Sequence, residues 1–439
     1  MHSLLTQIES FEHNSGALVL GRWLFLGFVV ASAYTHPINE YGTSAILGRM
    51  VWADVFGLAT VVMAFLALRP QFNLLATGAI IYVFSMVPGV AFSGSAILTI
   101  VEICVHFFLV LLFVSACEII TTRRDFVQLL RVFALTTLFA AVLGIWENTT
   151  FLTNLPSLFP EDERGFRAAT FRNSGQAGAF YLVSLATLVP LRYGRLIKNV
   201  SSFDRRLIEF AIILSLICMI MSVKIAALIG CAIGFGGFAV YKRKIGFVIP
   251  LILVVFFFQT QSEWLADQFP VLANRIEYKT RTRLNTEAVT SSDGFIGENY
   301  RLAFKAFEDN PLCGSGIMGF HGVYSRHEVH STPMKLVGET GMLGCIGYAV
   351  FVVVFVQVFF VFKKFPRWNV YREYLELMLP FLVGCGVSWI YTYHMRKREF
   401  WILMVVVFVT VRLMHVTDEE EAIEDSCEYD QFDEFGDSY

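Results

Sequence analysis

The chain has 439 residues, of which 56% are hydrophobic and 16% charged. A soluble domain carries about 45–50% apolar and about 25% charged residues, so a string of soluble domains is excluded and a polytopic membrane protein is indicated. The net charge of −3 hides an uneven distribution: the last 22 residues hold 11 acids and no Lys or Arg, and the rest of the chain is therefore +8.

Residues 1–16 are polar and include Glu9 and Glu12, so they read as a cytoplasmic N-terminus and not as a cleavable signal. Twelve stretches then have the length and apolarity of a membrane span, at 17–36, 51–68, 72–91, 96–119, 126–147, 174–191, 207–222, 225–241, 245–260, 340–362, 375–393 and 400–416. The seventh and eighth are parted only by Ser222-Val223-Lys224, where a turn places the ammonium at a membrane surface. The expected fold is all-α: a polytopic bundle of about 12 transmembrane helices with a helical outer loop domain.

Lys and Arg set the orientation. With the N-terminus inside, the inner loops carry Arg123 and Arg124, a cluster from Arg192 to Arg206, Lys242–Lys244, and Lys363 to Arg372. Arg396-Lys397-Arg398 is the exception, three cations in a loop expected outside. The organisation is then spans one to nine over 17–260 with an outer loop at 148–173, a large outer loop at 261–339, spans ten to twelve over 340–416, and an acidic, disordered cytoplasmic tail at 417–439. In the large loop, Leu302, Phe304 and Ala306 recur at helical spacing, which predicts a helix ended by Pro311 and Gly314.

Eight cysteines are present, most of them in apolar runs, and no CxxC pair occurs. Neither a zinc site nor a disulfide framework is indicated, and no cofactor, metal or nucleic-acid partner is expected. Within the spans, Glu102 and His106 share a helix face, and Arg22 and Asp54 are expected to pair, because intramembrane charges face the bundle interior.

The two outer segments are rich in cations: Arg164, Arg167 and Arg172 in the first, Lys224 at the turn, and Arg275, Lys279, Arg281, Arg283 and Arg301 in the second. Positive charge on the outer side opposes the topology rule. Nearby acids such as Glu161 and Glu277 account for some of it; a polyanionic ligand accounts for the rest, since guanidinium groups grip phosphate oxygens. His321, His327 and His330 lie in the same loop at a spacing that fits no standard metal site, and a histidine there suits general-base work near neutrality.

Two stretches together resemble the bacterial O-antigen ligase and O-antigen polymerase superfamily. The first, Arg167-Ala-Ala-Thr-Phe-Arg-Asn-Ser-Gly, is similar to the family's Arg-x-Gly-Thr-Phe-x-Asn-Pro-Asn. The second runs from Asn310-Pro-Leu-Cys-Gly-Ser-Gly to His330-Ser-Thr-Pro-Met-Lys-Leu-Val-Gly-Glu-Thr-Gly, like the family's Asn-Pro-x-x-Gly-x-Gly and His-Asn-x-x-Leu-x-x-x-x-Glu-x-Gly. Lys224 stands at the family's turn arginine, Ala169 at its glycine, Ser174 at its proline and Ser331 at its asparagine. The resemblance implies a bacterial inner-membrane glycosyltransferase, active on the periplasmic face. It would move a glycan from a polyprenyl-diphosphate donor to a glycan or lipid acceptor, without metal, amid membrane lipids. By position it makes His330 the base and sets Arg167, Lys224, Arg301 and Arg172 near the diphosphate. Gly314 and Gly316 would shape a turn beside the substrate, and Glu339 and Gly341 the start of the tenth helix. A transporter or flippase for lipid-linked or small solutes is the competing reading, since it too uses many helices and buried charges.

Overall fold

The computed structural model describes residues 15–38, 50–152, 159, 169–196, 201–242, 277, 295–321, 323–325, 329 and 331–433, and these are all-helical. The helices are α1 (Ser15–Ala31), α2 (Trp52–Ala67), α3 (Leu74–Ser85, extended by a 3-10 turn at Val87–Phe92), α4 (Ala96–Ile119), α5 (Arg123–Leu152), α6 (Ser174–Tyr193), α7 (Ser202–Ser222), α8 (Ile225–Lys242), α9 (Phe295–Asp309), α10 (Thr332–Lys364), α11 (Val370–Ile390) and α12 (Arg398–Asp433).

Eight of these are long and apolar enough to cross a membrane, and α1 and α2 are shorter apolar helices. The protein is therefore a multi-pass membrane helix bundle. Eleven of the twelve expected spans have a helix at their position; the ninth, 245–260, lies outside the described residues. Chain reversals carry explicit caps: Asn73 Oδ1 accepts from Ala76 N, Asn173 Oδ1 from Gln176 N, and Ser201 Oγ from Asp204 N. α12 continues as helix from its apolar span through Asp433, into the acidic segment.

The helices alternate in direction, so the bundle has two faces. The near face holds the start of α1; the far face holds residues 32–38, 87–95, 169–173, 222–225, 311–321, 323–325, 329, 331 and 390–398. α6 and α12 are the most buried spans, and the others pack around them, α1 on α2, α3 on α10, and α8 along α11. Small residues set the closest approach: a Cβ on Gly230 would lie 2.5 Å from the Gly384 carbonyl oxygen, so α8 and α11 touch backbone to backbone.

Three sequence expectations change. Arg22 does not pair with Asp54. Its guanidinium bonds Asp125 at 2.7 Å on the near face, because Arg22 lies in the near half of α1 and Asp54 in the far half of α2. Asp54 instead takes Arg398. Second, the apolar face of α9 is Leu302, Ala303 and Ala306; Phe304 is half exposed. A helix turns 100° per residue, so 303 and 306 share a stripe while 304 faces away. Third, the tenth span begins at Thr332, not 340. It is α-helical over Thr332–Lys335, π-helical over Leu336–Thr340, and α-helical again over Gly341–Phe360.

Candidate functional site

The far face gathers the described parts of the segments that the sequence singles out. In the turn before α6, Ala169 adopts φ +54°, a left-handed conformation that L-residues with a Cβ rarely hold. Neighbours enforce it: His36 Nε2 bonds the Ala169 carbonyl at 2.9 Å, and Thr35 N donates to Thr170 O at 2.9 Å. Arg172 N donates to Thr35 Oγ1, which donates to Gln176 Oε1 at 2.6 Å. The arginine side chain is left exposed beside the N-terminus of α6.

Lys224 meets the same helix start from the other side. Val223 ends α7 in a left-handed conformation, and Ser222 Oγ, held to Met219 O at 2.7 Å, accepts from Lys224 N. The lysine stem lies against Gly178, and a Cβ on Gly175 would sit 3.6 Å from Nζ. Two cations thus stand at the start of α6, where the helix dipole favours an anion.

The glycine segment is folded onto the π-helical turn of α10. Gly314 and Gly316 have φ of +59° and +74°, and Met318 +66°. The wide π turn presents the Gly338 carbonyl to Ser315, which donates from N at 2.9 Å and from Oγ at 3.2 Å. Glu339, buried, accepts from Met318 N at 2.7 Å and pairs with Lys335 at 3.3 Å. Gly341, at φ +60°, lies so close to the loop that a Cβ would be 2.6 Å from Cys313 N and Gly314 N. Thr99 of α4 closes the other side through Ile317 O at 2.7 Å. Glu339 and Gly341 are thus structural supports of the loop at the start of α10.

α9 covers this assembly, with Ala303 against Gly338 and with Ala306 in a small core with Phe320 and Val329. Tyr324 is tied to Asp309 at 2.8 Å; burial, and then that carboxylate, push its hydroxyl up to about 12. Arg301 is exposed on α9. It stands on a different element from Arg172 and Lys224.

At the start of α10, Ser331 Oγ donates to Ile390 O at 2.7 Å and caps the helix through Met334 N. Thr332 Oγ1 donates to Thr392 O at 3.0 Å. His394 Nδ1 lies 3.3 Å from that hydroxyl, whose proton is committed, so Nδ1 carries the hydrogen and Nε2 accepts from Tyr348. The ring stacks on Trp389 at 4.2 Å. Burial, aided by the charge of Lys397, holds His394 well below the ordinary histidine value.

The three cations of the turn between α11 and α12 each face a carboxylate. Arg396 reaches Glu102 at 3.4 Å, Lys397 lies 3.9 Å from Glu399, and Arg398 binds Asp54 at 2.6 Å. Burial pulls the Lys397 ammonium below its usual value, partly offset by Glu399. Each of these charges has a carboxylate partner in the bundle.

Below the turn, His106 and Glu102 share a helix face as the spacing requires. His106 Nδ1 donates to Glu102 O at 2.8 Å; Nε2 therefore accepts from Tyr393 at 2.6 Å, and the Tyr393 oxygen accepts from Tyr82 at 3.0 Å.

Of the residues assigned from sequence, Arg172 and Lys224 both lie at the start of α6, Gly314, Gly316, Glu339 and Gly341 form one folded unit, and Arg301 stands on another element, α9. His330 and Arg167 lie outside the described residues, as does His327; His321 is exposed on the far face. Tyr393, Thr332, Lys335 and His394 escaped sequence reasoning: single polar residues near apolar runs carry no spacing signal. Among the described residues no group of acids, histidines and cysteines could hold a metal. No protein-family model matches the chain, and no curated protein matches it.

Proposed function

We propose that the chain is a membrane glycosyltransferase of the O-antigen ligase and polymerase type, working at the far face of the bundle. In this reading the membrane is a bacterial inner membrane and the far face is periplasmic. The observation that carries it concerns the departures from the family pattern. Ala169, where the family has glycine, has the left-handed backbone that glycine prefers. Ser174, where the family has proline, is the first residue of α6, the helix position proline favours. Ser331, where the family has asparagine, is the N-cap of α10, a site asparagine fills equally well. At three substituted positions the backbone still has the form the family residue would dictate. That supports the motif alignment independently of residue identity.

The chemistry follows from the charges. His330 takes the proton of an acceptor hydroxyl, whose oxygen attacks the anomeric carbon as the carbon–oxygen bond to the diphosphate breaks. The bonding electrons leave with the polyprenyl diphosphate, and the configuration inverts. Arg172, Lys224 and the α6 N-terminus face the growing negative charge, and Arg167 and Arg301 add to it. Cations of this kind contribute several kcal/mol to such a step.

The transport reading leaned on charges inside the spans. Arg22, Asp54, Glu102 and Arg131 each have an ion-pair partner within the bundle, Asp125, Arg398, Arg396 and Asp204. His330→Ala tests the proposal: glycan transfer from a polyprenyl-diphosphate donor should vanish while the protein stays in the membrane. Undiminished transfer overturns it.

A further inference from the structure

We propose that the turn between α11 and α12, residues 390–397, is a positioning platform for the segment that begins α10, with Tyr393 and Thr332 as its two fastening residues. This rests on the transferase reading, in which that segment follows the catalytic His330 directly in sequence.

Two sets of bonds define the platform. The upper set joins it to α10: Ser331 Oγ to Ile390 O at 2.7 Å, and Thr332 Oγ1 to Thr392 O at 3.0 Å with His394 Nδ1 at 3.3 Å. The lower set anchors it in the bundle. Tyr393 donates to His106 and accepts from Tyr82, and Arg396 reaches Glu102. Lys335, on the first turn of α10, lies 5.0 Å over the Tyr393 ring while pairing with Glu339. Each donor in the Tyr82, Tyr393, His106 chain has one acceptor, so the direction of every proton in it is fixed.

That arrangement assigns a use to the intramembrane Glu102–His106 pair. It is the footing of a brace that runs from α4 through Tyr393 and Thr332 to α10. A buried, fully connected polar network rigidifies its surroundings more than isolated bonds do. A reacting group displaced by 1 Å loses about 100-fold in rate, so the brace should be read in turnover and not in donor affinity.

The test uses the full-length protein in nanodiscs with a polyprenyl-diphosphate glycan donor, and the variants Tyr393→Phe, Thr332→Val and Thr332→Ser. Tyr393→Phe and Thr332→Val should lower kcat by about 100-fold with the donor KM within a factor of about two. Thr332→Ser, which keeps the hydroxyl, should restore it. Unchanged kcat in both variants, or a raised KM with kcat intact, overturns the proposal. A second readout does not depend on the transferase reading: hydrogen exchange of the amides of residues 331, 332 and 334–336. Protection lost in Thr332→Val and kept in Thr332→Ser supports the platform even if the wild type transfers no glycan. Equal protection in both overturns it, and this pair stands if Tyr393→Phe fails to insert.

Discussion

Arg398 and Asp54, 344 residues apart in the chain, meet at the far face with Nη2 at 2.6 Å from both carboxylate oxygens and Nε at 3.0 Å from one. The pair ties the second helix to the last. Asp54 also accepts from Val51 N and so caps its own helix. Removing it strands a partly buried guanidinium. Asp54→Ala should cost about 2 kcal/mol, reduced from the fully buried case by partial exposure. Asp54→Ala with Arg398→Met should recover much of that loss, read as thermal melting in detergent; a double variant no better than the single one refutes the pairing energy.

The two cations at α6 should act on the donor. Lys224→Ala is expected to lower kcat/KM by about 100-fold, the scale of a lost charge donor at a developing anion. Lys224→Arg should retain most activity, since arginine adds a planar fork to the same charge. Arg172→Ala, at a more exposed position, should lose about 10-fold. Steady-state kinetics with varied donor separates these outcomes, and equal activity in all three variants rejects the anion site.

Ala169 stores strain that a single change relieves. A left-handed residue with a Cβ costs roughly 1–2 kcal/mol, and glycine gives back part of that gain in unfolded-state entropy. Ala169→Gly should therefore raise stability by about 0.5 kcal/mol with transfer unchanged. A lowered melting temperature contradicts this reading of the backbone.

Gly341 predicts the opposite sign. Any side chain there meets Cys313 N and Gly314 N and must hold φ at +60°. Gly341→Ala should detach the glycine segment from α10, with a loss well above about 1 kcal/mol and faster proteolysis between 310 and 331. Wild-type proteolysis would refute the docking.

His394 sets an acid limit. Its neighbours are Thr332, Tyr348, Trp389, Tyr393, Phe400 and Lys397. Its folded-state value is depressed below the ordinary 6.5, so between the two the unfolded chain holds a proton that the native state refuses. Stability from this group is complete above about 6.5 and declines as pH falls below it. Melting between pH 7.5 and 5 should show this decline, with a shallower acid slope in His394→Phe.

The helices were largely legible because each needs a continuous apolar run, and the turn at Ser222–Lys224 because a charge interrupts one. Pairing was not. Arg22 and Asp54 look complementary in sequence, but depth in the bilayer decides partners, and the two sit at opposite depths. Phe304 groups with Leu302 and Ala306 in sequence because it is apolar, whereas the buried stripe is set by Ala303 and Ala306. The π turn at Leu336–Thr340 leaves no mark in composition; its Gly338 carbonyl is taken up by the docked glycine segment. Gly314, Gly316 and Gly341 were legible, since their backbone conformations admit little else.

The contact of Gly230 with Gly384 has a mechanical consequence. Lys224 lies at the far-face end of α8 and Ile390, the acceptor of Ser331, at the far-face end of α11. Two residues without side chains therefore gauge the distance between the lysine and the segment on which α10 begins. A methyl group at either would wedge the two rods apart like a shim, and the opening would widen at the mouth of the bundle, far from the residue that caused it.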